Sequence, residues 1–538
     1  MNIIEKTIAY FSPQTALNRQ VARTRLSLCQ QITNSGYSEG GASRVKKSVA
    51  GWNHESISAQ EDIDYNLSTL RQRSRNLYMT APIATSAIKT SRTNVIGAGL
   101  RLKCCIDYTY LGISREQAEE WKLNTEREFA IWANSKWCDA LRVNNFYDMQ
   151  QLAHSSWLMN GDAFAIIKHK EAKPWQPYGL RLHMIEADRV STPNVAVSSS
   201  FKPIGGRNTS GKAPNGNLIF NGVEVDKDGG IVAYWICNQY PNSKTGKRKE
   251  WVRVEAFGKE TGQPNILQLM ETERCEQYRG VPYLAPVIET LKQISRYTDA
   301  ELMAAVVTAF FTAFIKQDGP KGEMPFGESI PAEQQVDTAD EHSYELGAGT
   351  VNVLGVNEDV VFADPKRPAS GFDPFVKAMC KQIGAALEIP YELLTKSFTA
   401  SYSASRAALL EAWKAFRMKR AGFAIDFCQP VYELWLAEAI AKGRVKAPGF
   451  FNDVAIRQAW CQAEWHGPSP GQIDPVKEVK AAVERVENGF STRERETIEL
   501  TGGDFDKNVQ QLARENDLLS KTRGPSKTSE EGSNENEK

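Results

Sequence analysis

The sequence lacks a charge excess of either sign, since 65 lysines and arginines balance 65 aspartates and glutamates in 538 residues. A dedicated nucleic-acid-binding protein usually carries a basic excess, so the overall composition argues against that simple class. The local distribution of charge along the chain is therefore more informative than the total. A chain of this length ordinarily folds into several domains.

Metal-binding and redox motifs are also missing. The nine cysteines show no Cys-x-x-Cys spacing, and the six histidines are scattered without a His-Glu-x-x-His motif. An odd number of cysteines in a chain of this size indicates reduced thiols that are mostly buried. We predict a protein that is not an enzyme and that has no catalytic residue, cofactor or metal site.

No apolar run is long enough to span a membrane. The most apolar run, Leu302 to Ile315, has 14 residues, whereas a membrane-spanning helix needs about 20, so we expect a buried helix there. The first residues, Met1 to Lys6, lack the basic flank and the apolar core of a signal peptide. These patterns predict a protein without a membrane partner.

Helical periodicity is clearest after residue 371. Apolar side chains recur at helical spacing from Phe372 to Leu387, and Pro390 ends this helix because it has no amide hydrogen. The small and polar residues that follow, 396–403, indicate a flexible loop.

A longer helix is predicted after this loop. Ser403 is a candidate N-cap, and strong helix formers follow from Arg406 onwards. We expect the helix to continue to Ala441, with a kink at Pro430.

Another long helix is predicted upstream, over residues 281–316, entered through Pro282 and Pro286. Thirty helical residues would reach about 45 Å. The tract that follows, 317–370, contains 11 acidic and three basic residues. Two β-prone runs at its centre predict a small pair of strands.

The N-terminal half combines helices with strands. Residues 1–50 show a mixed pattern that predicts an arm with little core of its own. Apolar spacing predicts helices over 116–133 and 146–160. Residues 162–270 alternate short apolar runs with turn signals such as Asn221-Gly222, which indicates a β-rich region.

A basic stretch, residues 65–103, contains seven basic residues and no acidic one. It could contact nucleic-acid phosphate, or it could be a helix whose arginines pair with acids on a neighbouring subunit. The second hypothesis is favoured because no aromatic or glycine pattern of a nucleic-acid module accompanies the charges.

Two patterns resemble ligand sites but fail on their details. Residues 206–213 match a phosphate-binding loop until Ala213, which has no hydroxyl for magnesium. Asp337, Asp340 and Glu341 are close enough in sequence to bind a metal. Their acid-rich tract favours an exposed acidic loop instead.

Several short blocks resemble the lambda-type portal proteins of tailed bacteriophages. The blocks are Asn94-Val-Ile-Gly-Ala-Gly-Leu100, Gln277-Tyr-Arg-Gly-Val-Pro282, Ile389-Pro-Tyr-Glu-Leu-Leu394, Tyr402-Ser-Ala-Ser-Arg-Ala407, Trp413, Ala459-Trp-Cys-Gln-Ala-Glu-Trp465, Asp474-Pro-Val-Lys-Glu-Val-Lys480 and Gly489-Phe-Ser-Thr492. Each block alone is a weak signal, but together they occur in the family's order and spacing over residues 60–515.

The resemblance implies an α+β portal fold that is mostly α. The implied parts are an N-terminal arm (1–50), a wing of helices and a β-rich part (51–280), a first stem helix (281–316), a small clip (317–370), a second, antiparallel stem helix (371–395), a tunnel loop (396–403), a long kinked helix with a return to the wing (404–471), a helical crown (472–519) and a disordered tail (520–538).

The resemblance also implies which residues meet DNA and partners. The DNA-channel candidates are the tunnel-loop residues Lys396, Ser397, Phe398, Thr399 and Ser401, and the helix residues Lys377 and Lys381. The clip residues proposed to bind partners are Glu333, Asp337, Asp340 and Glu341, and the candidates for packing or subunit contact are Tyr402, Arg406 and Trp413. An alternative for the loop is a simple connection that packs on its neighbour.

The implied function is that of a portal protein, a ring of about twelve copies at one capsid vertex. Terminase packages double-stranded DNA through the ring, and the DNA later leaves through it to the tail. The implied partners are further copies of the chain, the terminase large subunit, head-completion or connector proteins, the scaffold and the major capsid protein. The implied location is the virion, after assembly in the host cytoplasm.

Two other functions remain open from the sequence. One is a metal-dependent DNA-processing enzyme that grips DNA through the basic stretch. The other is a capsid scaffold or adaptor without a DNA channel.

Overall fold

The computed structural model describes residues 56–193, 202–203, 210–240, 243, 248–309, 371–398, 401–472 and 474–523, together with isolated positions between residues 14 and 47. Residues 59–538 form one compact unit, and residues 1–58 form another. The elements below belong to the larger unit and are numbered from Ala59.

The N-terminal part of this unit is mainly helical, as predicted. Its elements are α1 (Ala59–Thr80), α2 (Pro82–Val95), β1 (Arg101–Cys104), α3 (Tyr108–Leu111), α4 (Arg115–Ala133) and α5 (Phe146–Asn160). Helices α4 and α5 begin with capping boxes, which pair Ser114 with Gln117 and Asn145 with Asp148. Each box satisfies backbone amides that a first helical turn leaves without partners. The two helices predicted for this part are confirmed.

The β-rich part is also confirmed. Its strands are β2 (Asp162–His169), β3 (Leu180–Glu186), β4 (Lys202–Pro203), β5 (Ser210–Lys212), β6 (Leu218–Phe220), β7 (Val223–Val225), β8 (Ile231–Cys237), β9 (Trp251–Glu255) and β10 (Ile266–Met270). One antiparallel sheet has the order β10-β2-β3, and another contains β4 to β9 in sequence order. Strand β1 pairs with β11 (Ala463–His466), which brings distant parts of the chain together.

The predicted turn at Asn221-Gly222 joins β6 to β7. Both residues have positive φ angles, 44° and 86°. A two-residue hairpin of type I′ needs this conformation at both positions, which asparagine tolerates and glycine adopts freely.

The later helices agree with the prediction at Phe372 and at Ala441 and differ from it at other ends. They are α6 (Ile288–Ala309), α7 (Phe372–Ala386), α8 (Tyr391–Thr395), α9 (Tyr402–Phe423) and α10 (Gln429–Ala441). The helix predicted from residue 281 begins later, because Pro286 lies in a separate 3₁₀ turn. Residues 310–370 lie outside the described residues. Leu302 and Met303 are 63% and 62% exposed, so the prediction of a buried helix is wrong for its described part.

Helix α9 begins two residues before its predicted start. Ser401, and not Ser403, is the N-cap, and its hydroxyl accepts a hydrogen bond from the Ala404 amide at 3.5 Å. A π-helical segment, Ala424–Cys428, leads from α9 directly into α10, with Pro430 in the first turn of α10. The change to π-helical hydrogen bonding accommodates a residue that has no amide hydrogen.

The C-terminal elements are α11 (Val454–Cys461), α12 (Pro475–Glu487), α13 (Arg493–Thr501) and α14 (Phe505–Arg523). Helix α14 continues past residue 519, so the tail predicted from 520 begins too early, and residues 524–538 lie outside the described residues. Within the described part of the chain, no helix is both long and apolar enough to cross a membrane.

One aromatic core joins helices that are far apart in sequence. The ring of Phe129 in α4 meets the rings of Tyr432 and Trp435 in α10 edge-on, with centroids 5.8 and 5.1 Å apart. Trp132 donates its indole N–H to the carbonyl oxygen of Leu180 at 3.0 Å. These aromatic side chains are buried, and edge-on pairs are favourable beyond the area that they bury. The α4 and α10 helices therefore share one core.

A buried ion cluster connects the helices to the sheets. The Asp162 carboxylate accepts hydrogen bonds from Arg279 at 2.5 Å and from Arg71 at 2.9 Å. Arg279 also donates to the carbonyl oxygens of Ala187 and Val190, each at 2.9 Å. Burial raises the pKa of the Asp162 carboxyl, but the two guanidinium groups outweigh this effect and hold the pKa below its usual value.

Three of the seven basic residues of the 65–103 stretch form ion pairs within their own chain. Arg71 binds Asp162, Arg75 binds Asp188, and Lys103 lies 3.6 Å from Asp504. The hypothesis that they pair with acids on a neighbouring subunit is wrong for Arg71, Arg75 and Lys103. The same three pairs weaken the phosphate-contact hypothesis, because these charges are already neutralised.

The Gln277–Pro282 block, which contains Arg279, also brings two stretches of backbone into close contact. A Cβ atom on Gly280 would lie 1.9 Å from the carbonyl oxygen of Gly161, closer than real atoms approach. Gly161 itself has a φ angle of 88° where it ends α5. The Gln277–Pro282 block thus has a structural role, in which Arg279 holds Asp162 and Gly280 permits the backbone contact.

We predict that Arg279→Lys destabilises the larger unit by about 2–4 kcal/mol, because lysine cannot reproduce the fork of hydrogen bonds to Asp162 and to the carbonyl oxygens of Ala187, Val190 and Asn221. The measurement is the urea midpoint of unfolding. Arg73→Lys is the control, since Arg73 is exposed on the same helix as Arg71, and its midpoint should not change. An unchanged midpoint for Arg279→Lys would contradict the role assigned to the cluster.

Candidate functional site

The turn between α7 and α8 is compact because the backbone passes very close to Gly384. A Cβ atom at this position would lie 2.4 Å from the carbonyl oxygen of Ile389. The Ile389 amide also donates to the carbonyl oxygen of Gly384 at 2.9 Å, and the Tyr283 hydroxyl donates to that of Leu387. Contacts with backbone atoms therefore fix the end of the predicted second stem helix.

Helix α8 is attached to α2. The Ser86 hydroxyl donates to the carbonyl oxygen of Leu394 at 2.6 Å, and the side chain of Leu394 is buried in the core that α2 shares with α6 and α7. The residues immediately before the predicted loop are thus anchored to the body of the protein.

Lys419 of α9 completes this support. Its ammonium group lies 3.1 Å from the Glu388 carboxylate and 4.4 Å from the centre of the Tyr283 ring. Lys419 is only 6% exposed, and a cation over an aromatic ring is most favourable when it is removed from water. Sequence reasoning missed this lysine, because its partners lie in two separate turns that are remote from it in sequence.

The predicted tunnel loop leaves this support at Lys396. Lys396 ends α8 in a left-handed conformation with a φ angle of 56°, and its amide donates to the carbonyl oxygen of Glu392. The side chains of Lys396 and Phe398 are exposed, while Ser397 is half-buried and Ser401 caps α9. Thr399 lies outside the described residues. The described base of the loop is therefore fixed, and its exposed side chains are free to meet another molecule.

The two lysines proposed for the channel helix differ. Lys377 forms an ion pair with Asp373 one turn earlier, at 2.6 Å. This hydrogen bond raises the pKa of the Lys377 ammonium above its usual value. Lys381 is exposed and, among the described residues, forms no ion pair. The exposed face of α7 therefore carries mixed charge.

The proposed subunit contacts have different outcomes. Tyr402 and Arg406 are on one exposed side of α9, where a guanidinium nitrogen lies 3.4 Å from the phenol oxygen, so they remain candidates. Trp413 is only 5% exposed and packs edge-on against Phe416 within the chain. Of the two predicted roles, packing or subunit contact, Trp413 performs the packing role, because its ring fills the core of its own chain.

Arg420 explains the block Asn94–Leu100, a role that sequence reasoning missed. Its guanidinium donates to the carbonyl oxygens of Asn94 at 2.7 Å, Val95 at 3.0 Å and Pro468 at 2.8 Å. Burial lowers the pKa of Arg420 to about 10, so it stays charged at neutral pH. The end of α2, α9 and the chain after β11 thus meet at one side chain.

The described residues offer little for catalysis. Among them, no group of three or more histidine, cysteine, aspartate or glutamate side chains could hold a metal ion. Gly467-Pro-Ser-Pro-Gly471 has the spacing of a nucleophile elbow, but the next helix begins only at Pro475. Ser469 therefore lacks the sharp strand-to-helix turn of that motif. The clip residues Glu333, Asp337, Asp340 and Glu341 lie outside the described residues.

Comparison with known proteins extends the match well beyond short blocks. The family model described as phage portal protein, lambda family, matches residues 45–420. The chain therefore belongs to the lambda family of phage portal proteins, a class of viral structural protein.

Two curated relatives cover nearly the whole chain. The portal protein of Escherichia phage N15 is 25% identical over 498 residues, which are 89% of this chain and 90% of that protein. Portal protein B of Escherichia phage lambda is 24% identical over 503 residues, 89% of each chain.

Among solved structures, a chain in the neck of a native gene transfer agent particle, computed with C12 symmetry, covers 79% of this chain and 93% of its own length. The two are 14% identical, with a TM-score of 0.35. A similarity this low adds nothing to the assignment, which rests on the sequence family.

We predict that Gly384→Ala destabilises the α7–α8 turn by about 1–3 kcal/mol, because the added methyl group must push the Ile389 carbonyl away. Hydrogen exchange should accelerate at the amides of residues 387–397. The control is Gly422→Ala in α9, where a Cβ atom would meet no atom within 4 Å. That variant should be neutral or more stable by about 0.5–1 kcal/mol. Equal changes in stability and hydrogen exchange for Gly384→Ala and Gly422→Ala would contradict the close contact between Gly384 and Ile389.

Proposed function

We propose that the chain assembles into a ring of about twelve copies at one capsid vertex of a phage particle. Double-stranded DNA is packaged and later released through the central channel. In this proposal α7, α8, the loop around Lys396 and the beginning of α9 face the channel, and α6 and α7 form the stem. The location is the virion, after assembly in the host cytoplasm.

The observation that carries the proposal is the family match over residues 45–420. The geometry supports the choice of channel segment within this range. The base of the loop is held by the Leu394 and Leu387 carbonyl oxygens, while Lys396 and Phe398 are exposed beyond it. A DNA channel needs a loop whose ends are anchored to the protein body and whose side chains are exposed to the channel.

The charges near the loop suit DNA that must move. Lys377 pairs with Asp373, and Lys414 pairs with Glu411 at 2.7 Å. A strongly basic surface would bind phosphate tightly through counterion release, whereas mixed charge holds DNA weakly. Lys396 forms no ion pair among the described residues, and repeated around a ring it would make one positive belt facing phosphate.

The partners in the proposal follow from the family's role. The terminase large subunit would supply the energy for packaging, so this chain would need no phosphate-binding loop. In the stretch that partly matches such a loop, residues 206–213, Ser210 to Lys212 form β5 and no helix follows them directly. The acidic clip residues Glu333, Asp337, Asp340 and Glu341 would bind terminase or head-completion and connector proteins. The scaffold and the major capsid protein would bind the outside of the ring.

The alternative functions have no specific support in the described residues. A DNA-processing enzyme that grips DNA with the basic stretch would need free charges, yet Arg71 and Arg75 are paired with acids of the same chain. A scaffold or adaptor without a channel would not need an exposed loop between α8 and α9 on a fixed base.

We predict that Lys396→Glu lowers the amount of packaged DNA about tenfold, because a ring of negative charges replaces the positive belt facing phosphate. The measurement is nuclease-protected DNA per particle after complementation of a phage that lacks its portal gene. Ring formation should be unchanged, since the Lys396 side chain forms no ion pair with any residue that the structure describes.

Lys227→Glu is the matched control, because Lys227 is an exposed lysine in the hairpin between β7 and β8. This variant should package normally. Normal packaging by Lys396→Glu would contradict the proposed position of the loop in the channel.

A further inference from the structure

The crown carries a helix that lies largely outside the body of the protein. Every residue from Lys507 to Lys521 in α14 is exposed, although the beginning of this helix is attached through Asp506, whose carboxylate lies 3.1 Å from the Lys103 ammonium group. An isolated helix of about 15 residues is only marginally stable in water. Helix α14 therefore needs a packing partner.

The apolar residues of α14 have the spacing of a coiled coil. Phe505, Val509 and Leu512 are separated by four and then three residues, and Asn516 occupies the next position of the same pattern. Val509 and Leu512 are 44% and 55% exposed. Heptad spacing indicates packing against another helix, and a polar residue at one such position selects register.

Helix α12 presents a second stripe with matching spacing. Val476, Val479, Val483 and Val486 are separated by three, four and three residues, and Val476 is 79% exposed. The other side of α12 is already occupied, because Arg485 forms two hydrogen bonds of 2.8 and 2.6 Å with Glu496 of α13. The valine stripe (476, 479, 483 and 486) therefore faces away from the elements that the structure describes around α12, with Val476, Val479 and Val483 exposed and Val486 half-buried.

We propose that the valine stripe of α12 packs against α14 of a second copy of this chain. The proposal rests on the ring assembly proposed above. A ring is built from head-to-tail contacts, which join two different surfaces of the same chain, whereas a stripe that paired with itself would close a dimer. The crown supplies two such surfaces, one on α12 and one on α14.

The two surfaces also match in length. Helix α12 has 13 residues, which corresponds to about 20 Å, and the exposed part of α14 has a similar length at 1.5 Å per residue. Each stripe can cover most of the other, so the contact would repeat around the ring and stabilise every crown through its neighbour.

Cysteine cross-linking tests the contact. Cysteine would replace Val479 or Val483 in combination with Val509 or Leu512, giving four double variants of the full chain, assembled with scaffold where needed. Under mild oxidation, at least one double variant should form covalent dimers and longer multimers, while each single variant stays at the background of the natural cysteines. Multimers from a single variant would show self-pairing and overturn the proposal. Intact rings without cross-links in any double variant would overturn it as well.

Hydrogen exchange supplies a second test. In assembled rings, Val483→Glu should accelerate exchange at α14 amides about tenfold or more, whereas the control Lys480→Glu, at an exposed position on α12, should not. If the amides of α14 become protected only after DNA or scaffold is added to assembled rings, that partner covers α14, and the proposed contact with α12 is wrong. A chain that stays monomeric even with scaffold would refute the ring itself, an outcome visible in the native mass before any crown experiment.

Discussion

The fold depends on keeping the Asp162 carboxylate charged in the protein interior. A buried ion is costly unless it is paired and fully hydrogen-bonded. Arg71 comes from α1, and Arg279 comes from the loop after β10. The helices and the sheets must therefore come together around this carboxylate. Arg279 extends the constraint to the 3₁₀ turn and loop after β3, through the carbonyl oxygens of Ala187 and Val190.

The segment proposed for the channel is also held through backbone carbonyl oxygen atoms, which accept hydrogen bonds from side chains elsewhere in the chain. Tyr283 donates to the carbonyl oxygen of Leu387 in the α7–α8 turn, and Ser86 donates to that of Leu394 near the end of α8. Gly384 allows the turn to close. Neutral hydrogen bonds fix the base without adding positive charge to the surface. In the proposed channel, the few exposed cations near the loop would act on DNA without a strongly basic background, so that the channel would guide DNA and not bind it tightly.

Local signals predicted part of this structure accurately. Helix α5 was predicted to the residue, because the polar Asn145 before it and Gly161 after it bracket one continuous apolar pattern. The choice between Ser401 and Ser403 as the cap of α9 was not decidable from sequence, since both serines suit the position and tertiary contacts fix the start.

Partners remote in sequence could not be predicted. The intrachain partner of Arg71 gives no local signal, because Asp162 follows it 91 residues later. Arg420 gave no signal, as its acceptors are backbone carbonyl oxygens more than 300 residues before it and nearly 50 after it. For Trp413, the sequence does not decide between packing and a subunit contact, because aromatic residues suit interfaces and cores equally well.

The most direct test of the central claim is the native mass of the purified chain, alone and with scaffold, combined with negative-stain images of the same samples. The account predicts closed rings of about twelve copies with an open centre, wide enough for duplex DNA. Only monomers or dimers under both conditions, or a closed disc without a central opening, would contradict it.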